Sequence, residues 1–154
     1  MKRRSQVAMT SEEQHAFLNS RKTITLSTID GKGYPHAVAM WYAMAGDDIL
    51  MTTFAKSQKA VNIRRNPKVA VMAESGETYE TLKGVLVRGK AELIADVEGC
   101  VDVIVRVNEK MLGMTLAPEA IDMIRKGQAT KRVVIKVTPE HVSSWDHTKL
   151  GGIY

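Results

Sequence analysis

Apolar and polar positions alternate along several short stretches of the chain. Residues 23–29 follow this pattern and are rich in β-branched side chains, which predicts a strand with one buried face. Brief polar turns at 30–33 and 46–48 separate this strand from two more, so the three are expected to form an antiparallel meander. The complete set of predicted strands covers 23–29, 34–45, 49–53, 68–73, part of 79–95 and 133–137.

Capping signals place helices between these strands. Thr10 and Glu13 have the spacing of a capping box, and the helix that they begin is expected to end near Ser20. A later helix is expected to begin at Pro118 and to end at Gly127.

Residues 96–113 fit two patterns. Val101, Val103 and Val105 alternate as in a strand, whereas apolar residues at 97, 100, 101, 104, 107 and 111 fit one face of a helix. We interpret the segment as a helix, because Asp96 is a suitable N-cap and the pattern runs beyond the usual length of a strand.

Together these elements predict an α+β protein that is mainly β, with flanking helices. Six mostly antiparallel strands indicate a small barrel or a curled sheet. Gly84 and Gly89 interrupt the longest strand and favour the strong curvature that a barrel needs. No linker divides the chain, so we expect one domain over 1–154, with residues 1–9 as a loose arm.

The connection over residues 52–67 is the main candidate for a binding site. It is predicted to contain the end of a strand, a tight turn and a short helix over 56–65, with Ser57 as N-cap. Free backbone N–H groups at a helix start favour an anion, and Lys56 and Lys59 flank this one. A phosphate site and an ordinary surface helix with solvated lysines both fit these residues.

Composition narrows the choice of partners. The formal net charge of +5 allows a nucleic acid, an anionic lipid or a polyanionic small molecule. Aromatic residues make up only 5% of the chain, too few for a platform that binds single strands, so we expect no nucleic-acid partner. No apolar run has transmembrane or signal-peptide length, and the lone Cys100 fits a reducing compartment. We therefore expect a cytoplasmic location and no membrane partner.

Common catalytic motifs are missing from the sequence. No two of the four histidines stand at the spacing of a metal site on a helix, so we expect no metal. Neither a glycine-rich dinucleotide motif nor a phosphate loop nor a nucleophile elbow is present. His147 follows Asp146, but adjacent residues of a strand face opposite ways.

The order of the motifs resembles that of the split β-barrel flavin-binding proteins related to pyridoxamine 5′-phosphate oxidase. The likeness extends over nearly the whole chain and is greatest to the flavin/deazaflavin oxidoreductases that use the deazaflavin coenzyme F420. No single motif is strict, but their order and spacing together are specific. The matching motifs are TLST at 25–28, DGxGxPH at 30–36, MWY at 40–42, SxKAxNIRRNP at 57–67, GxxxRGxA at 84–91 and SWDHxKL at 144–150.

This resemblance implies a six-stranded antiparallel split β-barrel that forms a homodimer, with the cofactor in a groove at the dimer interface. It implies an F420-dependent oxidoreductase that transfers a hydride between the cofactor and a small organic acceptor. The acidic oligoglutamate tail of F420 suits a basic protein, and salt should weaken its binding. Pyridoxamine phosphate is not the expected substrate, because the C-terminal arginines that bind its phosphate in true oxidases have no match here.

The resemblance also implies a set of site residues. The 52–67 connection would hold the phosphate end of the cofactor, with Lys59 as the main phosphate contact. Ser57 and Gln58 would add hydroxyl, amide and backbone donors, and Lys56 would attract the acidic tail. The remaining implied residues are Val38, Ala39, Met40 and Thr53 against the ring, Ala60 and Asn62 on the helix, and Tyr79 and Trp145 of the partner subunit.

Two alternatives to F420 chemistry stay open. Related FMN-binding proteins share the Ser-x-Lys motif, so an FMN-binding oxidoreductase of the same fold is the first alternative. The second is a protein that holds its cofactor without turnover. Hydride transfer needs no protein nucleophile, and the candidate proton donors are water, Tyr42 and His147.

Overall fold

The computed structural model describes residues 2–152, which form five α-helices and seven β-strands. The helices are α1 (Arg3–Val7), α2 (Ser11–Ser20), α3 (Gln58–Arg65), α4 (Val97–Leu112) and α5 (Pro118–Lys126). The strands are β1 (Thr23–Ile29), β2 (Pro35–Trp41), β3 (Ala43–Ala45), β4 (Asp48–Phe54), β5 (Lys68–Ser75), β6 (Lys83–Ile94) and β7 (Arg132–Asp146). Short 3-10 turns span Tyr79–Thr81, Gln128–Lys131 and His147–Leu150.

All seven strands belong to one antiparallel sheet, in the order β2-β1-β5-β6-β7-β4-β3. The edge strands β2 and β3 lie at opposite ends of this order, although only Tyr42 separates them in the chain. Because consecutive Cα atoms are about 3.8 Å apart, the sheet must curl until its two edges approach each other. The predicted α+β class and curled antiparallel sheet are confirmed. The structure has seven strands rather than six, because residues 34–45 form two strands with different neighbours.

Tyr42 anchors the junction between the two edge strands. Its side chain is fully buried, and its hydroxyl donates a hydrogen bond to the backbone oxygen of Leu18 in α2. The Lys110 ammonium of α4 lies 3.8 Å from the centre of the Tyr42 ring and donates to the Tyr42 backbone oxygen at 3.3 Å. Two helices thus fix the residue at which the chain leaves one edge of the sheet and joins the other.

Two apolar clusters stabilise the curl. The first cluster fills the inside of the curled sheet with inward-facing side chains such as Leu26, Val71 and Val87. The second lies outside the curl, where α4 packs on β3, β4 and β7 through residues that include Leu50 and Ile104. The outward side chains of β1 and β5 belong to neither cluster, so the helices cover only part of the outer face.

The ambiguous segment at 96–113 is confirmed as a helix. The Asp96 side chain accepts a hydrogen bond from the Gly99 N–H at 2.8 Å, and Gly113 ends the helix in the left-handed conformation. The alternating valines do not form a strand, because the helical stripe buries Cys100, Val101 and Ile104 together against the sheet. No helix within residues 2–152 is long and apolar enough to cross a membrane.

Strands β6 and β7 form a longer hairpin than the sequence predicts. Strand β7 continues past 133–137 to Asp146, beyond a bulge in which Glu140 has no partner opposite the Arg88–Gly89 step of β6. Gly84 faces Trp145 in this hairpin, and a Cβ at Gly84 would lie only 2.1 Å from the Trp145 ring. The glycine is therefore needed for close packing with the tryptophan. The sequence predicted curvature at both Gly84 and Gly89, but only Gly89 lies at the bulge.

The N-terminal residues do not form the loose arm expected for 1–9. Residues 3–7 are helical, and Val7 and Met9 are buried. The Met9 N–H donates to the Ser144 hydroxyl at 3.0 Å, and Lys149 Nζ donates to the Ala8 backbone oxygen at 2.9 Å. These contacts come from residues over 130 positions away, which local sequence patterns do not reveal.

We expect stability to rise with pH through the titration of Lys110. Burial lowers the pKa of this ammonium from its ordinary value of 10.5 to about 8 in the folded protein. Between these pH values the unfolded chain binds the proton more strongly, so raising the pH favours the folded state. Because the raised pKa values of Cys100 and Tyr42 act in the opposite direction, the contribution of Lys110 is measured as the difference between the wild type and Lys110→Met in urea denaturation from pH 8 to 10, and this difference should increase with pH.

The exposed Lys32 provides the control for this experiment. The Lys32→Met variant should keep the pH dependence of the wild type. Equal slopes in the wild type and Lys110→Met would contradict the prediction.

Candidate functional site

The turn from β4 into α3 presents several hydrogen-bond donors. Ser57 caps α3, and its hydroxyl oxygen accepts from the Ala60 N–H at 3.3 Å and from the Thr53 hydroxyl at 3.0 Å. Both bonds use the oxygen, so the Ser57 proton is left to donate to another group. The backbone N–H groups of Gln58 and Lys59 open the helix, where intrahelical acceptors are missing. This arrangement suits an anion.

A lysine and an arginine add positive charge beside this turn: Lys59 lies on α3, and Arg132 pairs with Phe54 at the end of β4. Lys59 is half-buried, and burial, followed by the charge of Arg132, lowers the pKa of its ammonium. In the part of the chain that the structure describes, neither cation forms an ion pair with a carboxylate. The site therefore has an excess of positive charge that the protein itself does not neutralise.

Arg132 is the residue of this site that the sequence analysis missed. It begins β7 and pairs with Phe54 of β4, whose ring is 56% exposed and lies 4.6 Å from the guanidinium carbon. Arg132 Nη1 is 3.5 Å from the backbone and hydroxyl oxygens of Thr52, and the buried Nε has no partner. The Lys131-Arg132 pair is visible in the sequence, but only the pairing of β4 with β7 places it beside α3.

Arg132 lines two cavities, whereas Ser57, Gln58 and Lys59 line neither of them. A cavity of about 410 Å³ lies between Ala39, Met40 and Trp41 of the edge strand β2 and Asn108 of α4. A second cavity of about 710 Å³ lies on the other side, with Phe54, Lys56, Asp96 and Lys131 among its lining residues. Both volumes are in the range of small-molecule sites. The first cavity contains Trp41, which is 54% exposed.

Only some of the residues predicted to contact the cofactor ring lie together in the fold. Ala39 and Met40 line the smaller cavity, as the ring site requires. Val38 and Met40 share the opposite face of β2 and both pack against the inner core, because alternate residues of a strand face the same side. Thr53 is buried and supports Ser57 through its hydroxyl. The β2 wall of the cavity is therefore made by Ala39 and Trp41 on one face of the strand with Met40 between them, and Val38 and Thr53 of the predicted set lie elsewhere.

Two of the helix residues predicted to bind the cofactor are structural. Asn62 is fully buried, donates to the Thr28 hydroxyl at 3.0 Å, and accepts from the Gln58 amide at 2.7 Å. Ala60 is also fully buried. The backbone N–H of Gln58 is still positioned for a ligand, but its side chain supports Asn62. Lys56 is exposed at the rim of the larger cavity, as a contact to an acidic tail would require.

Neither candidate proton donor lies at this site. The Tyr42 hydroxyl is inside the core, and burial raises its pKa, so its role is structural. His147 Nδ1 lies 2.7 Å from the Tyr79 backbone oxygen, and the two rings are 4.5 Å apart. Tyr79, Trp145 and His147 line neither of the two cavities. Within one chain, they form a separate group at the end of the β6–β7 hairpin.

The described residues contain no group of three or more histidine, cysteine, aspartate or glutamate side chains placed to hold a metal.

Comparison with known proteins agrees with the resemblance in the sequence. The family model described as pyridoxamine 5′-phosphate oxidase matches residues 10–146. A conserved hypothetical protein from Mycobacterium tuberculosis is 41% identical, with 100% of this chain and 95% of that chain covered and a TM-score of 0.91. No match was found among curated proteins.

Other solved structures share the fold at lower identity. An F420 reductase is 27% identical, with a TM-score of 0.68 over 87% of this chain and 98% of that chain. The heme storage protein HutZ from Vibrio cholerae is 22% identical, with a TM-score of 0.65 over 87% of this chain and 94% of that chain. At this lower identity the likeness concerns the fold alone.

We expect Asn62→Ala to destabilise the protein by about 1–3 kcal/mol, because it leaves buried polar partners unsatisfied. Urea denaturation measures this loss. Asn19→Ala, at an exposed position of α2, should change stability by less than about 0.5 kcal/mol. A loss of cofactor affinity in Asn62→Ala without a loss of stability would instead make Asn62 a binding residue.

Proposed function

The chain belongs to the pyridoxamine 5′-phosphate oxidase family, and on that premise we propose that it is an F420-dependent oxidoreductase that reduces a small organic acceptor. The observation that carries this proposal is the β4–α3 turn, where the Ser57 cap and the first N–H groups of α3 lie beside Lys59, a cation that pairs with no carboxylate of residues 2–152. The 27% identity with an F420 reductase supports the choice of cofactor.

The residues present fit such a cofactor. Lys59, the Ser57 hydroxyl and the first N–H groups of α3 would bind its phosphate. Ala39 and Met40 line a cavity that would receive the ring. Lys56 lies at the rim of the larger cavity, where it would attract an acidic tail. Arg132 lines both cavities and would add positive charge near an anionic ligand.

When bound, the reduced deazaflavin supplies a hydride to the acceptor. The protein would orient the ring and the acceptor and would exclude water from the contact between them. With Tyr42 in the core, the proton would come from solvent or from His147 of the partner subunit, because His147 contacts Tyr79, which would close the ring site in the dimer.

FMN is the alternative cofactor, because the Ser57 and Lys59 donors suit a terminal phosphate equally well. The net charge of +5 and the basic cavity beyond the phosphate position favour the longer, acidic F420. A cofactor-binding protein without turnover is the other alternative, and the heme storage protein of Vibrio cholerae shows that the fold alone does not decide against it.

The lone Cys100 is buried and reduced, which is compatible with the cytoplasmic location that we propose.

A homodimer forms part of this proposal. On the uncovered outer face, Thr25 pairs with Met72 and Met72 with Leu86, while Ser27 pairs with Ala70 in the next row. All five side chains are only half-buried in the single chain. A second copy packed here would bury a surface rich in small and apolar side chains. Tyr79 and Trp145 of the partner subunit would then close the ring site, as the resemblance implies.

We expect F420 to quench the tryptophan fluorescence, because Trp41 lines the proposed ring cavity. Lys59→Ala should weaken F420 binding by about 1–3 kcal/mol through the loss of a charge-assisted contact. The exposed Lys32→Ala should bind F420 as the wild type does. Tight quenching by FMN alone would overturn the choice of cofactor, and quenching by an oligonucleotide alone would overturn the function.

Turnover is tested with the same protein. Oxidation of reduced F420 is followed in the presence of enones, quinones and tetrapyrroles. Binding without oxidation by any acceptor would favour the protein without turnover.

We expect Ala70→Arg to convert the dimer into monomers, because it places a long charged side chain in the middle of the proposed interface. Sedimentation velocity measures the change in mass. Glu77→Arg adds the same side chain at an exposed position outside the sheet and should leave the dimer intact. A wild-type monomer at all concentrations would contradict the proposed assembly.

A further inference from the structure

The uncovered outer face of the sheet carries positive charge at one end. Lys68 at the start of β5 lies directly opposite Lys90 of β6, and in the next row Ala70 lies opposite Arg88. Because alternate residues of a strand face the same side, Arg88 and Lys90 both point outward. Like charges directly opposite each other destabilise a sheet, so Lys68 and Lys90 do not stabilise the single chain.

These three cations have no carboxylate partner in the single chain. No ion pair among residues 2–152 involves Lys68, Arg88 or Lys90. All three line a cavity of about 620 Å³ on the outer face. Among the described residues, Glu140 is the one carboxylate that lines the same cavity, so this end of the face keeps a net positive charge.

Negative charge collects at the opposite end of the same face. Glu74 points outward on β5, six residues after Lys68, and Glu77 and Glu80 are exposed in the connection that follows. Within residues 2–152, none of these three glutamates forms an ion pair, whereas Lys83, a cation at this end, already pairs with a carboxylate. The face is therefore basic where β5 begins and acidic where β5 ends.

A second copy related by a two-fold axis covers such a face in one of two principal orientations. With the axis along the strands, the strands of the two copies run parallel, and the basic end of one copy meets the basic end of the other. With the axis across the strands, the strands run antiparallel, and each basic end meets an acidic end. A two-fold interface repeats every contact, so the charges favour the antiparallel orientation twice over.

We propose that two copies pack through this face with antiparallel strands, so that Lys68 of each copy lies beside Glu74 of the partner subunit. Ala70 then packs on the partner's Met72, because both pairs are centred on Val71 of β5. This inference rests on the proposed function, since the homodimer is part of it. It adds the orientation of the two subunits and the ion pairs that determine it.

The antiparallel orientation also brings the second subunit toward the candidate site. Helix α3 joins the end of β4 to the start of β5, so it lies at the same end of the sheet as Lys68. Tyr79 and Trp145 lie at the other end, beside the start of β6. Of the two orientations, only the antiparallel one carries that end of the partner toward α3. The orientation that the charges favour is thus the one in which the partner contributes to the cofactor site.

Charge reversal tests the orientation. Lys68→Glu and Glu74→Lys should each weaken the dimer about 10-fold, because each variant turns two symmetric attractions into repulsions. The double variant with both substitutions restores the attraction and should dimerise as the wild type does. Sedimentation equilibrium measures the dissociation constants. In the parallel orientation like charges face each other in every one of these proteins, so single variants that dimerise as the wild type does would overturn the proposal.

Matched substitutions on α5 provide the controls. Lys126→Glu and Glu119→Lys change the charge by the same amounts at exposed positions outside the sheet, and both should keep the wild-type dissociation constant. Lys68→Glu should also fold normally, because it replaces the like-charge pair with Lys90 by an opposite-charge pair. Added sodium chloride should weaken the wild-type dimer by screening its ion pairs. A dimer that salt strengthens would overturn the antiparallel orientation.

Chemical cross-linking tests the contact itself. A carbodiimide joins an amine and a carboxylate only where the two groups touch. Within one chain, Lys68 and Glu74 are about 20 Å apart along the extended strand, so they cannot be joined to each other. A peptide that links Lys68 to Glu74, identified by mass spectrometry in the dimer, would therefore come from two subunits. A dimer in which Lys68 is linked only to carboxylates other than Glu74 and Glu77 would overturn the proposed contact.

The outcomes separate this inference from the proposed cofactor and reaction. A wild-type protein that stays monomeric and still binds F420 would overturn the inference and leave the cofactor intact. A dimer that has the Lys68–Glu74 link but no affinity for F420 would support the inference and overturn the proposed function.

Discussion

The placement of Tyr42 is the constraint on which the rest of the structure depends. The two edge strands of the sheet are neighbours in the chain and are separated by this single residue, so the sheet has to curl. Burial of the Tyr42 ring, its hydrogen bond to Leu18 and the Lys110 ammonium above it fix the junction. The same junction brings the outer face of β2 next to α4. The smaller cavity, with Ala39 and Trp41 on one wall and Asn108 on the other, is a direct result.

Local sequence patterns predicted a segment correctly where its structure depends on interactions among its own residues. The α3 helix begins after its predicted N-cap Ser57, and α4 begins after Asp96, because capping is decided within a few residues. The extension of β7 to Asp146 was not predictable in this way. Its second half is held by pairing with β6, and the polar run before Trp145 carries no alternation. The arm at 1–9 was misjudged for the same reason, since distant residues hold Met9 and Ala8.

The candidate site likewise combines residues that local sequence patterns predict with residues that only the fold brings together. The donors on α3 follow from the sequence around Ser57 and Lys59, and the structure has them in the expected places. Arg132 is 73 residues from Lys59 by sequence number and joins it only because β7 pairs with β4. Burial also cannot be judged from residue type alone. Asn62, a polar residue on a surface helix, is fully buried by Thr28 and Gln58, and Trp41 is exposed.

The segment between β6 and β7 is what gives this site its particular form. A phosphate-binding turn before a short helix would suit many anionic ligands, so it does not by itself select a reaction. Helices α4 and α5 leave the sheet after β6 and return to it at Arg132, and α4 covers β3, β4 and β7 on the way. This path builds the far wall of one cavity from Asn108 and the rim of the other from Asp96 and Lys131. It also leaves the outer face of β1 and β5 uncovered. Selectivity for a ligand would therefore depend on α4 and the start of β7, and assembly would depend on the face that these helices do not cover.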